Sequence, residues 1–278
     1  MLALGLGLLA ALGWGTHDLL VRRIAPGAQV LPQLVLVMTV AALVVSPLGL
    51  IRASAVPTVP LVLSILSGCV YFGGSLALYA AFARAPARLI APVIGSYPLP
   101  ALAFALVQGH TVSGAEWLAA GLIVAGVAVV ATQGAAEDKG PTPLALPLAF
   151  AACLGLATSF ALGQEAAARI DPLLAASLAR TAGAIFGLTL LACRPKGIKA
   201  ALARWPMLLA MGCLDAVALT SVIASGALPL ASYAAVASSL FGVVTILLAW
   251  ALLGEKVRPA QGAGIALIFA GLAKLAAG

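Results

Sequence analysis

Gly254-Glu255-Lys256-Val257, followed at residues 267–271 by Leu-Ile-Phe-Ala-Gly, is said once before in this chain of 278 residues. Moved back 145 positions, the two stretches fall on Gly109-His110-Thr111-Val112 and on Leu122-Ile123-Val124-Ala125-Gly126. Other echoes keep nearly the same offset: Arg23-Ile24-Ala25-Pro26 against Arg169-Ile170-Asp171-Pro172, and Gly68-Cys69 against Gly212-Cys213. A fixed offset of about half the chain marks two related halves.

The halves are written for a bilayer. Hydrophobic residues make up 63% of the chain and charged residues 8%, where a soluble domain carries roughly 25% charged. No aqueous core could absorb that much apolar surface. The net charge of +7 comes from basic residues set between apolar runs, where membrane topology uses them, so no nucleic-acid partner is expected. Cys69, Cys153, Cys193 and Cys213 sit in or beside apolar runs without CxxC spacing or a nearby His. They are read as small buried hydrophobes, not as disulfides or metal ligands. The apolar run from Leu2 to Leu12 lacks a charged leader and continues through Trp14, which makes it a retained span.

A span needs about 20 mainly apolar residues. The first half supplies Leu2–Val21, Gln29–Ile51, Pro60–Phe82, Leu89–Gln108 and Trp117–Gln133. The second supplies Leu144–Gln164, Leu173–Cys193, Pro206–Ser225, Ser232–Leu253 and Ala260–Ala277. The expected fold is all-α: ten transmembrane helices in two five-helix repeats, residues 1–133 and 144–278, joined by a charged, Pro- and Gly-containing linker at 134–143. Five is odd, so the second repeat enters from the opposite side and the repeats are inverted. Inverted repeats are a mark of secondary transporters, whose substrate site lies where the repeats meet. Arg22, Arg23, Arg84, Arg88, Lys139, Lys256, Arg258 and the basic stretch 194–204 all fall in odd-numbered loops, which places those loops in the cytoplasm and both termini outside.

Gly121, Gly126, Gly262, Gly264 and Gly271 are read as close-packing positions between helices. Pro92, Pro98 and Pro100 within one span predict a bend.

Tyr79-Ala80-Ala81-Phe82-Ala83, Ser96-Tyr97-Pro98-Leu99-Pro100 and the stretch 109–126 resemble the third to fifth helices of the EamA family of the drug/metabolite transporter superfamily. The stretch from Ala231 to Gly271 resembles the same segment more closely, through its Gly254-Glu255-Lys256 turn. Gly109-His110-Thr111 departs from that turn. Arg180 matches the family's arginine in the second helix of a repeat, whereas Met38 stands at the aligned position of the first half. The resemblance implies cytoplasmic termini, against the charge count, and it implies transport. Bacterial ten-span members that export amino acids, aromatic ones included, are the nearest analogue. Exporters of drugs, lipids or nucleotide sugars share the fold. The setting implied is the bacterial cytoplasmic (inner) membrane, and one chain holding both repeats suffices as a monomer.

Charged residues at membrane depth need a partner or a wet cavity. Asp215 lies deepest and Arg180 two turns into the preceding helix; together they offer groups for an ammonium and a carboxylate, or an ion pair. Tyr71, Ser75 and Tyr79 form an i, i+4, i+8 stripe, and the register Gly68 to Gly212 sets Tyr71 opposite Asp215. Trp14 and His17 share a face of the first span. These seven residues, Trp14, His17, Tyr71, Ser75, Tyr79, Arg180 and Asp215, are the expected substrate-binding set. Trp117 and Trp205 read as interfacial anchors, and Gln164 and Glu165 as the interfacial end of a span. With only His17 and His110 and no HExxH, GxSxG or phosphate loop, an enzyme, a cofactor or ATP drive is not expected. A receptor would favour soluble domains or long tails. Proton coupling through Asp215, His17 or Glu165 and facilitated exchange both remain open.

Overall fold

The computed structural model describes residues 2–52, 55–100, 103, 113–134, 143–228, 234 and 237–277. Within these the chain is helical. The elements are α1 (Leu2–Ile24), α2 (Val30–Ile51), α3 (Thr58–Phe82), α4 (Ala87–Gly95), α5 (Gly114–Gly134), α6 (Ala145–Ala167), α7 (Pro172–Cys193), α8 (Trp205–Ala224), α9 (Phe241–Leu253) and α10 (Pro259–Ala277). A five-residue helix, Ile198–Leu202, precedes α8, and a 3-10 turn, Ser225–Ala227, extends it. Helices α1, α2, α3, α6, α7 and α8 with its extension are long and apolar enough to cross a membrane. Their outer faces carry exposed Leu8, Leu43, Leu50, Leu154, Ile185 and Leu209, surface that only lipid can cover at low cost.

The helix ends follow from local sequence. Asp171 caps α7 by accepting from the Leu173 and Leu174 amides, with Pro172 at the first helical position. Ser113 and Glu116 form a reciprocal capping box on α5. Gly254 ends α9 in the left-handed region (φ 68°), which lets the Glu255 amide reach back to the Ala249 carbonyl.

The two halves interlock. α5 packs on α10, α2 on α7, and α3 on α6 and α7, while α1 lies against α8 and α9. The named contacts give directions. Ser67 meets Ser159 and Gly74 meets Gly155, so α3 and α6 run antiparallel. Gly126 meets Gly264 and Gly271 meets Ala119, so α5 and α10 run antiparallel as well. In contrast, Gly68 meets Ala179 and Phe72 meets Gly187, so α3 and α7 run parallel. A Cβ on Gly68 would overlap the Ala179 carbonyl oxygen, and the close approach depends on its absence.

Several expectations are corrected. The span Leu89–Gln108 is not one continuous helix: α4 stops at Gly95, Ser96 and Tyr97 form a turn, and helix resumes at Pro98. Pro98 has no amide to donate to Ile94 and disfavours helical geometry at Tyr97. The span Ser232–Leu253 breaks likewise, with a turn at Ser239 and Leu240 before α9, beside serines that compete with helix hydrogen bonds. The breaks touch, since Gly95 faces the Ser239 carbonyl, Gly242 faces that of Ala91, and Tyr97 hydrogen-bonds Ser238. Gly126 and Gly271 do pack between helices, but Gly121 and Gly262 face open space. Cys153 is buried, whereas Cys193 and Cys213 are exposed, because they fall on outward faces of α7 and α8. The turn Gly109–Val112 and residues 135–142 of the linker lie outside the described residues.

Candidate functional site

Where the halves meet, α1, α3, α6 and α9 enclose a cavity. On α1, Trp14, His17 and Asp18 fall on one face, three and four residues apart, and all are buried. On α3, Tyr71, Ser75, Leu78 and Tyr79 line the opposite wall; Leu156 and Phe160 of α6 and Phe241 of α9 complete it. In this conformation the walls close in until the free space is about 20 Å³, room for about one water.

Aromatic rings set its shape. Trp14 stacks on Phe160 at 5.1 Å between centroids, and Tyr97 stacks on Phe241 at 6.3 Å with planes 6° apart. Each pair joins residues about 145 positions apart, and so does Tyr71 with Asp215. A residue can touch its own repeat counterpart only near the axis that relates the repeats. The cavity therefore sits on that axis.

Behind the lining lies a closed polar cluster. Asp215 Oδ1 accepts from Tyr71 Oη at 2.5 Å and from Trp14 Nε1 at 3.1 Å. Its Oδ2 lies 2.8 Å from an Arg180 terminal nitrogen, and the other terminal nitrogen donates to the Asp215 carbonyl at 2.8 Å. The guanidinium also covers the Tyr71 ring, 4.5 Å from its centroid, and touches Met38 Sδ. Arg180 and Asp215 are each 2% exposed and neither lines the cavity. They neutralise each other.

The second cluster opens into the cavity. His17 Nδ1 lies 2.9 Å from Asp18 Oδ1, and His17 Nε2 lies 3.1 Å from Tyr79 Oη. With the proton on Nδ1, His17 donates to Asp18 and accepts from Tyr79. Asp18 Oδ2 is buried and accepts no hydrogen bond.

One end of the cavity region is tied shut. Arg22, one turn beyond Asp18, donates from Nε to Glu255 Oε1 at 2.8 Å and from a terminal nitrogen to the Phe82 carbonyl at 3.0 Å. Glu255 Oε2 accepts from the Ala87 amide at 2.8 Å. The Gly-Glu-Lys turn of the second repeat thus holds the ends of α1 and α3 and the start of α4.

The structure brings Trp14, His17, Tyr71, Ser75 and Tyr79 to the cavity and sets Arg180 and Asp215 behind it. Sequence reasoning missed Asp18, Phe160 and Phe241 as lining. Asp18 stands four residues after Trp14, which is a helix-face signal. Phe160 is the repeat counterpart of Trp14, and Phe241 that of Tyr97. Trp117 and Trp205 are exposed at helix starts. Glu165 is exposed and paired with Arg169, while Gln164 turns inward to the Val222 carbonyl and Ser225.

The EamA-like transporter family model matches residues 1–132 and 143–276, one copy per half. The chain belongs to the EamA-like transporter family. It is thus an integral multi-pass membrane protein of a family that transports small molecules. A solved structure described only as the crystal structure of a protein superposes with a TM-score of 0.70 at 21% identity, covering 98% of this chain and 95% of the other. That likeness shows a shared fold. No curated protein matches the sequence. Among the described residues, no group of His, Cys, Asp and Glu is placed to hold a metal ion.

Proposed function

We propose that this family member is a secondary transporter that moves small metabolites, amino acids foremost, outward across a bacterial inner membrane by alternating access. The observation that carries this reading is the cavity on the repeat axis, lined from both halves and framed by α1, α3 and α6, each long enough to span a bilayer. Ten spans in two inverted five-helix repeats, residues 1–133 and 144–278, agree with the antiparallel contacts of α3 with α6 and α5 with α10. The broken fourth helices cross beside Tyr97 and Phe241, which supplies hinges next to the cavity. The Arg22–Glu255 tie is the element that must open on that side. A single chain holds both halves, so a monomer is the working unit, with no cofactor and no catalytic role.

Counterflow in proteoliposomes tests the reading. Vesicles loaded with unlabelled amino acids are expected to accumulate labelled amino acid only when they contain the folded protein. No counterflow with any amino acid would turn the assignment to the second reading, an exporter of drugs. The aromatic walls together with acidic Asp18 favour that alternative over lipids and nucleotide sugars.

A further inference from the structure

We infer that Asp18 is the docking point for the ammonium group of the transported molecule. The inference rests on the cavity being the substrate site and names the chemistry recognised there.

The charges decide it. Asp215 and Arg180 are opposite, in contact, and shielded from the cavity by Tyr71 and Trp14. They form a neutral wall. In the Nδ1–H tautomer, which donates to Asp18 and accepts from Tyr79, His17 brings no charge to the pair. Among the described residues lining the cavity, Asp18 then carries the one charge without an opposite partner. A carboxylate at 2% exposure in a membrane helix is costly when uncompensated. Its Oδ2 accepts no hydrogen bond and has no cation beside it, whereas Asp215 Oδ2, which also lacks a hydrogen bond, lies 2.8 Å from the Arg180 guanidinium.

An ammonium supplies what is missing, a positive charge with three donors. The surroundings suit it as well. Trp14, Phe160, Phe241, Tyr71 and Tyr79 present rings around the same space, and ring faces attract cations once water is excluded. A substrate carboxylate finds no such host, because Arg180 is held by Asp215 and covers Tyr71 from behind the wall. The site therefore recognises the amine end of its cargo, and the rest of the molecule is selected by fit among the rings. Asp18 stands one helical turn before Arg22, so a bound ammonium sits directly beneath the tie that closes that end.

The test is isothermal titration of the full-length protein in detergent with matched pairs that differ only in the charged group: propylamine with propanol, phenethylamine with phenylethanol, and tryptamine with tryptophol. At least one amine is expected to bind about tenfold or more tightly than its alcohol, the scale of a charge-assisted hydrogen bond. Asp18→Asn is expected to erase the difference between amine and alcohol. Amines and alcohols binding alike to the wild-type protein overturn the proposal, and this comparison needs no variant to fold. So does an Asp18→Asn protein that keeps the preference, in which case the counter-charge is a proton on His17. Amino-acid counterflow run in parallel separates the two failures: flux without amine preference removes the role of Asp18 and leaves the transporter, whereas absence of both removes the cavity as a transport site.

Discussion

Asp18 and Asp215 are equally buried, at 2% exposure each, and they border the same cavity wall, yet the protein treats them differently. Asp215 accepts from an indole and a phenol on one oxygen and holds a guanidinium 2.8 Å from the other, groups drawn from α1, α3 and α7. Asp18 is held through one oxygen by its chain neighbour His17 and leaves the other without a donor. The difference teaches that depth alone does not mark a functional charge. A carboxylate neutralised by a guanidinium cross-links helices; one at a cavity with no cation beside it holds attraction in reserve for something that arrives.

The comparison breaks most visibly at Arg180. Arg180→Met should strand the Asp215 charge and lower stability by about 3–5 kcal/mol, read as a fall in the detergent unfolding midpoint. Adding Asp215→Leu should recover most of that loss. If the single variant is as stable as wild type, the Asp215 cluster is not the cross-link described. Tyr71→Phe removes one hydrogen bond to a charged group and should cost about 1.5–3 kcal/mol in the same measurement, without changing the amine-over-alcohol preference.

A third carboxylate sharpens the contrast because it is satisfied but partly wet. Glu255 is 11% exposed in its side chain and Arg22 22%. Glu255→Gln should cost only about 1 kcal/mol in stability, the upper end for an exposed pair. Its larger signature should be kinetic, an altered counterflow rate as the tie loosens. An unchanged rate would mean that this tie is not opened in the cycle. Smallest of all in stability is Asp18→Asn, expected to cost less than loss of the tie does, because it removes a buried charge while the Asn oxygen still accepts from His17 Nδ1. An unfolding midpoint as low as that of Arg180→Met would make Asp18 a structural residue like Asp215.

Much of the site was legible in the chain. The spacing of Tyr71, Ser75 and Tyr79 defined one wall, and the repeat register set Tyr71 opposite Asp215, which the structure places at hydrogen-bond distance. The same register, applied to Trp14 and Tyr97, would have found Phe160 and Phe241. Pro98 announced one broken helix. The break at Ser239 carried no comparable signal, because serine interrupts a helix only where tertiary contacts favour the turn.

Composition and the internal repeat dictate the solvent and the symmetry. Apolar runs of span length admit only lipid outside, and an offset near 145 residues dictates that each helix meets counterparts from the other half. Only the tertiary structure decided which polar group is free. Arg180, Asp215 and Asp18 are all charged residues within apolar runs, and their roles separate through a few ångströms of helix placement. The approach of α7 to α3, permitted by Gly68, brings Arg180 over Tyr71 and onto Asp215. Hydrogen bonds require donor and acceptor within about 3 Å, a distance that sequence separation does not encode, so the partners of Asp215 and the unpartnered oxygen of Asp18 emerge only when the helices are packed.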